Sequence, residues 1–183
     1  MNNKSASIID MWLLRFFLEN PSKKYHLREL ARLAKVSPAT LSKKLPHLVK
    51  EGLITEKMDR IVKLYQANFE SSLFKAYKVF YTIQKIIRSG LLTSLDEELN
   101  YPNVILFGSA SKGEDIENSD LDVFILSETK KSVNTGKFEK ILGKNIQIFL
   151  MNREEFEKAK KDSKELMNNM LNGIRLSGSV EVL

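Results

Sequence analysis

The sequence predicts an α+β protein of two modules, and three observations carry that prediction. The first 70 residues place apolar side chains at helical spacing and end in a short hairpin pattern. Beyond residue 100, apolar runs of strand length alternate with helical stretches. Charge divides along the same line. Residues 1–70 hold 13 Lys and Arg against 7 Asp and Glu, whereas the remaining 113 hold 16 of each, so the formal excess of +6 sits in the first third.

A chain of 183 residues suits one large domain or two small ones. An apolar fraction of 43% with 28% charged residues is ordinary for a globular protein. No apolar run has membrane-spanning length, because Met11-Trp12-Leu13-Leu14 is cut by Arg15, and no membrane partner is expected. No basic and apolar leader with a small-residue cleavage site opens the chain, so a cytoplasmic location is expected. With no cysteine, disulfide frameworks, thiolate zinc sites and cysteine nucleophiles are excluded together. His26 and His47 read as cap or surface residues and leave little for a histidine-based metal site or triad.

In chain order, Ile8 to Leu18 forms an amphipathic helix (Ile8, Met11, Leu14 and Leu18), ended by Asn20-Pro21. A second helix spans His26 to Ala34, with Leu27, Leu30, Ala31 and Ala34 on one face. Val36-Ser37-Pro38 stops and restarts the chain, with Ser37 as N-cap and Pro38 in the first turn. The third helix turns Leu41, Leu45 and Leu48 inward and ends at Gly52. Pro46 lacks the N–H that would bond to the Ser42 carbonyl, so it is expected to kink or shorten this helix. Leu53–Glu56 and Ile61–Tyr65 then pair around Met58-Asp59-Arg60. The basic excess points to a polyanion; the alternative is a solvated helical surface.

Residues 69–99 connect the modules as helix, with Phe69, Leu73, Tyr77, Phe80 and Gln84–Ile87 recurring every three to four and Gly90 as a break. The aromatics Phe74, Tyr77, Phe80 and Tyr81 need a packing partner, either the modules they join or a homodimer seam. In the second module, Val104–Phe107 and Leu121–Leu126 are strands, and Gly108-Ser109 turns the first into a short helix. Lys137–Leu142 is helical, Asn145–Leu150 a third strand, Arg153–Leu171 a charged helix, and Ile174–Leu183 closes the chain. Asp120 and Asp122, spaced i, i+2 at a strand start, share a face, while Leu121 and Val123 face a core. Two hard oxygen ligands beside a glycine turn that admits phosphate suit Mg²⁺ and a nucleotide.

Two resemblances follow from these residues. Residues 26–66, with Leu30-Ala31, Val36-Ser37, Leu41 and Glu51-Gly52-Leu53-Ile54, resemble a winged helix-turn-helix DNA-binding domain. That resemblance implies that Ser37, Ala39, Thr40, Ser42, Lys43 and Lys44 face DNA and that Lys57, Arg60 and Lys63 sit on the wing. The second module, with Gly108-Ser109, Ser119 and Asp120-Leu121-Asp122, resembles the minimal nucleotidyltransferases of the DNA polymerase β superfamily, whose fold is a small α/β domain. The boundaries expected are 1–68 for the winged helix, 69–99 for the connector and 100–183 for the nucleotidyltransferase-like domain.

The second resemblance implies nucleotide binding by Gly108, Ser109, Lys112 and Ser119, and one or two Mg²⁺ (or Mn²⁺) ions on the catalytic carboxylates Asp120 and Asp122. The reaction implied is in-line transfer of a nucleoside monophosphate from NTP to an acceptor hydroxyl. Active relatives carry a third carboxylate on the later strand; here the inward polar position of Asn145–Leu150 falls on Gln147, whose amide is no base near neutral pH. Glu139 or a water are the substitutes open to it. The implied functions are therefore an NMP-transferring, DNA-binding enzyme, a transcriptional regulator with a weak or inactive nucleotide-sensing domain, or a toxin–antitoxin component.

Overall fold

A computed structural model describes residues 8–178 of the chain, with side chains from Met11 onward. The side chain of Ile8 and the end of the closing segment, residues 179–183, lie outside it. The chain divides into two compact units, residues 1–78 and 79–183.

The first unit opens with α1 (Ile8–Glu19), which buries Leu13, Leu14, Phe17 and Leu18. A two-residue strand β1 (Tyr25–His26) follows, then α2 (Leu27–Ala34) and α3 (Pro38–Lys50). The second helix thus starts one residue later than expected, because His26 is extended and pairs with Leu64 as the N-cap of α2. Lys35 ends α2 in the left-handed region at φ 54° and returns its N–H to the Arg32 carbonyl. Ser37 caps α3, its hydroxyl accepting from the Thr40 N–H at 3.1 Å.

α3 corrects the expectation for Pro46, since the helix continues through it to Lys50. Leu41, Leu45 and Leu48, all buried, hold the helix to the core on the opposite face. Ser42 and Pro46 are both exposed, so water can take the Ser42 carbonyl that the proline leaves without a donor. The hairpin is β2 (Ile54–Asp59) and β3 (Val62–Ala67), antiparallel, with β3 central in the order β1-β3-β2. Arg60 makes its turn at φ 55°.

α4 (Ser72–Ser89) contains the division between the units. Gly90, at φ 80°, turns the chain into α5 (Leu91–Leu99) of the second unit. Next come β4 (Asn103–Phe107), α6 (Gly108–Lys112), β5 (Leu121–Leu126), α7 (Gly136–Leu142) and β6 (Ile146–Met151). The chain then forms α8 (Arg153–Asp162), α9 (Lys164–Leu171) and β7 (Ile174–Ser177). The sheet order is β6-β5-β4-β7, with β5 parallel to β6 and β4 antiparallel to both β5 and β7. The single helix expected over Arg153–Leu171 is two, because Ser163 leaves helical geometry at φ −134° and ψ 55°.

Strand alternation gives this sheet two buried faces. Val104, Leu106, Leu121, Val123 and Ile125 pack with Leu91, Leu95, Phe138 and Leu142. Ile105, Phe107, Phe124 and Leu126 pack with Phe156, Met167 and Met170 from α8 and α9. No helix among the described residues is long and apolar enough to cross a membrane.

Candidate functional site

The site of most chemical content lies at the end of the central strands of the second unit. β4 delivers Gly108 and β5 delivers Asp122, and the register pairs Phe107 with Asp122. Gly108 sits at φ 69°, where only glycine is unstrained, and a Cβ there would overlap Oδ2 of Asp122. The glycine therefore brings α6's first turn hard against the carboxylate. Phe107 stands at the N-cap of α6 in extended geometry and offers no side-chain cap to its leading N–H groups. Ser111 fixes the turn by donating to the Gly108 carbonyl at 2.8 Å, and Gly113 (φ 70°) closes it.

Asp122 is half-buried, and Asp120 exposed, at the mouth of β5. Burial first, and the charge of Asp120 second, push the Asp122 carboxyl above its ordinary pKa. Among the described residues no Lys or Arg pairs with either carboxylate. Two like charges, one half-buried and neither neutralised, are what a hard divalent cation relieves. Among the described residues no group of three His, Cys, Asp or Glu gathers as a metal site. Two carboxylates are hard oxygen donors of the kind Mg²⁺ takes, so the residues present fit that ion.

The remaining residues expected here divide. Ser109 is half-buried in the first turn of α6, and Lys112 is exposed in its last turn. The Ser119 hydroxyl accepts from the Ile116 N–H at 3.0 Å, which gives it a part in folding its own loop. Gln147 stands in register with Asp122 on the neighbouring parallel strand, on the same face and exposed. Glu139 is otherwise engaged, its Oε1 accepting from the Thr135 hydroxyl at 2.9 Å and the Ile146 N–H at 3.1 Å. Asn145 carries no signal in the sequence, yet its Nδ2 donates to Asp120 Oδ1 at 3.1 Å. A cleft of about 540 Å³ opens beside Asp120, lined among others by Ser119, Lys140 and Asn145.

In the first unit, the basic and hydroxyl residues singled out in the sequence fall on α3 and the β2–β3 hairpin. Ser37, Ala39, Thr40, Ser42 and Lys43 are exposed, and Lys44 is half-buried. Ser37 and Thr40 also share a hydroxyl–hydroxyl hydrogen bond of 2.9 Å. Lys57 and Arg60 are exposed, but Lys63 is engaged with Glu56 at 2.7 Å. That contact holds the Glu56 carboxyl below its ordinary pKa. Burial, aided by Glu56, pushes the Tyr65 hydroxyl up to about 12. A groove of about 570 Å³ lies between α2, α3 and the hairpin, with Arg28, Ser42, Pro46, Ile61 and Lys63 on its walls.

Residues 88–171 match the family model of the nucleotidyltransferase domain. The nucleotidyltransferase match runs from the end of α4 through α9 and so includes Gly108, Asp120, Asp122 and Gln147. No curated protein matches the chain. A solved structure that does is Sso10a-2, a DNA-binding protein from Sulfolobus solfataricus, 22% identical over 44% of this chain and 86% of that one, with a TM-score of 0.34.

Proposed function

We propose that the first unit binds DNA as a winged helix and that the nucleotidyltransferase domain binds a magnesium-complexed nucleoside triphosphate. The observation that carries the second half is the uncompensated pair Asp120 and Asp122 against the Gly108 turn. Gly108 and the leading N–H groups of α6 take the phosphates, with Ser109 and Lys112 within the same turn. Mg²⁺, when bound, supplies charge neutralisation of the phosphates during transfer.

The chemistry that fits is transfer of a nucleoside monophosphate. An acceptor oxygen attacks the α-phosphorus, a new ester bond forms, the α–β bridge breaks, and pyrophosphate leaves. The cleft beside Asp120 has room for the acceptor. The acceptor's proton needs a base, and at that position in the register stands the amide of Gln147. A second reading is favoured by that one residue: tight nucleotide binding with slow turnover, in a transcriptional regulator whose DNA affinity responds to Mg·NTP. Such a response requires nucleotide to bind the two states unequally.

The localised positive charge supports DNA as the partner of the first unit, with α3 presenting Ser37, Ala39, Thr40, Ser42, Lys43 and Lys44, and the hairpin Lys57, Arg60 and Lys63. A homodimer through α4 is part of the same reading. Leu73, Phe80 and Ile87 recur at seven-residue spacing and are 44%, 55% and 58% exposed. Sedimentation of Phe80→Asp against the unaltered chain tests it. The cysteine-free composition suits a cytoplasmic location. Transfer is tested by incubating the protein with α-³²P-labelled NTPs, Mg²⁺ or Mn²⁺ and candidate acceptors, beside Asp120→Ala/Asp122→Ala. Label moved by the wild type and lost in the variant supports the enzyme. Binding without transfer supports the regulator.

A further inference from the structure

Beneath the loop that leads to Asp120 lies a buried ion pair. Asp115 is fully buried, and Lys144 Nζ stands 3.0 Å from its Oδ2. The same ammonium donates to the Ile116 carbonyl and, at 3.2 Å, to the Ser119 carbonyl. The adjacent Asn145 donates its Nδ2 to Asp120 Oδ1 at 3.1 Å, and its carbonyl accepts from the Leu121 N–H at 2.9 Å. Residues 113–120 contain no helix or strand. Two consecutive residues ahead of β6 thus hold the loop along its length, from Asp115 to Leu121.

We propose that Lys144 is a positioning residue that, with Asp115 and Asn145, clasps this loop to the start of β6 and so sets where the Asp120 carboxylate stands relative to Asp122. The proposal rests on the metal–nucleotide role given above to Asp120. The ammonium hydrogen-bonds two carbonyls of a single loop, and its charge faces the buried Asp115 carboxylate of the same loop. A buried ion pair is a poor source of net stability, since an apolar pair of similar volume holds as well against unfolding. What an apolar pair lacks is directed bonds that fix the loop backbone residue by residue. The Asn145 amide adds orientation at the end of the chain of contacts by holding Asp120 Oδ1. Partners that orient a metal ligand in this way typically account for about 10- to 100-fold in metal affinity.

The test compares the full chain with Asp115→Leu/Lys144→Met, which removes both charges together, and with Asn145→Ala. Three quantities are read: the melting temperature, amide hydrogen exchange of residues 113–121, and Mn²⁺ affinity measured with the metal alone by electron paramagnetic resonance. The double variant is expected to melt close to the wild type. Its loop amides should exchange at least about tenfold faster, and its Mn²⁺ Kd should rise at least about tenfold. Asn145→Ala should raise the Kd with loop exchange unchanged. Wild-type loop exchange in the double variant overturns the proposal, as does an Mn²⁺ Kd within twofold of wild type. A double variant that fails to fold overturns it too, by assigning the pair to stability. If the wild type binds no Mn²⁺ while the double variant's loop still loosens, the metal reading fails and the clasp stands.

Discussion

Replacing Gln147 by Glu turns a neutral amide into a carboxylate with no change in side-chain length or shape. The register puts this position beside Asp122 on the next parallel strand, same face, so the new carboxylate projects toward the ground that Asp120 and Asp122 share. Adjacent strands lie about 5 Å apart. A general base contributes about 10² to 10⁴-fold, which at 1.36 kcal/mol per tenfold is about 3 to 5 kcal/mol of barrier. Against this stands one more like charge in the metal-free protein. Two carboxylates about 6 Å apart at an effective dielectric of 20 repel by about 3 kcal/mol, and solvent at the exposed position 147 cuts this to about 1 kcal/mol. The gain in chemistry therefore exceeds the loss in stability, and bound metal reduces the loss further. The assay is single-turnover transfer of α-³²P label under saturating Mg·NTP, pH 7 to 9. Gln147→Glu should transfer at least about 100-fold faster than wild type with nucleotide affinity within a few fold. A variant that binds nucleotide normally yet transfers no faster would refute the argument that the missing base limits the reaction.

Three further outcomes follow from the same geometry. Asp122→Asn removes one of two unneutralised carboxylates, so the metal-free protein should melt higher while losing Mg²⁺-dependent nucleotide binding; a lower melting temperature contradicts the reading of the two carboxylates as a like-charge pair. Gly108→Ala places a Cβ on the Asp122 carboxylate at a left-handed φ, a cost of at least about 1 to 2 kcal/mol from backbone alone, and should lower both melting temperature and nucleotide affinity, as calorimetry can show. Glu56→Gln frees Lys63 from its 2.7 Å ion pair, so DNA affinity should rise and the salt dependence measured by fluorescence anisotropy should steepen by about one counterion. An unchanged slope would take Lys63 out of the DNA-facing set.

How far the sequence could be read depended on how local each cause was. The apolar runs Val104–Phe107 and Leu121–Leu126 and the Gly108 turn follow from local patterning and appear as β4, β5 and α6, whereas Asp120 lies one residue before β5. Placing Gln147 needed only a strand and its phase, and the register then set it beside Asp122. Pro46 misled because a helix-breaking rule ignores what the opposite face contributes; three buried leucines outweigh one missing N–H. Ser163 gave no warning, since nothing in its composition separates it from a helix-interior serine. The contacts of Lys144 and Asn145 span about 25 residues to a loop whose path no periodicity encodes. The pairing of Lys63 with Glu56 was legible in principle once the hairpin register was known, and it reduces the positive charge the wing offers.

The central claim is that Asp120 and Asp122 hold a metal-bound triphosphate, and isothermal titration of the protein with the non-transferable α,β-methylene analogue of each NTP tests it most directly. Titrations with Mg²⁺, with EDTA, and with Asp120→Ala/Asp122→Ala make up the set. The account predicts binding of at least one analogue in Mg²⁺, weakened at least about 100-fold by EDTA and by the double variant. Equal binding in all three conditions, or no binding of any analogue by the folded wild type, would contradict it.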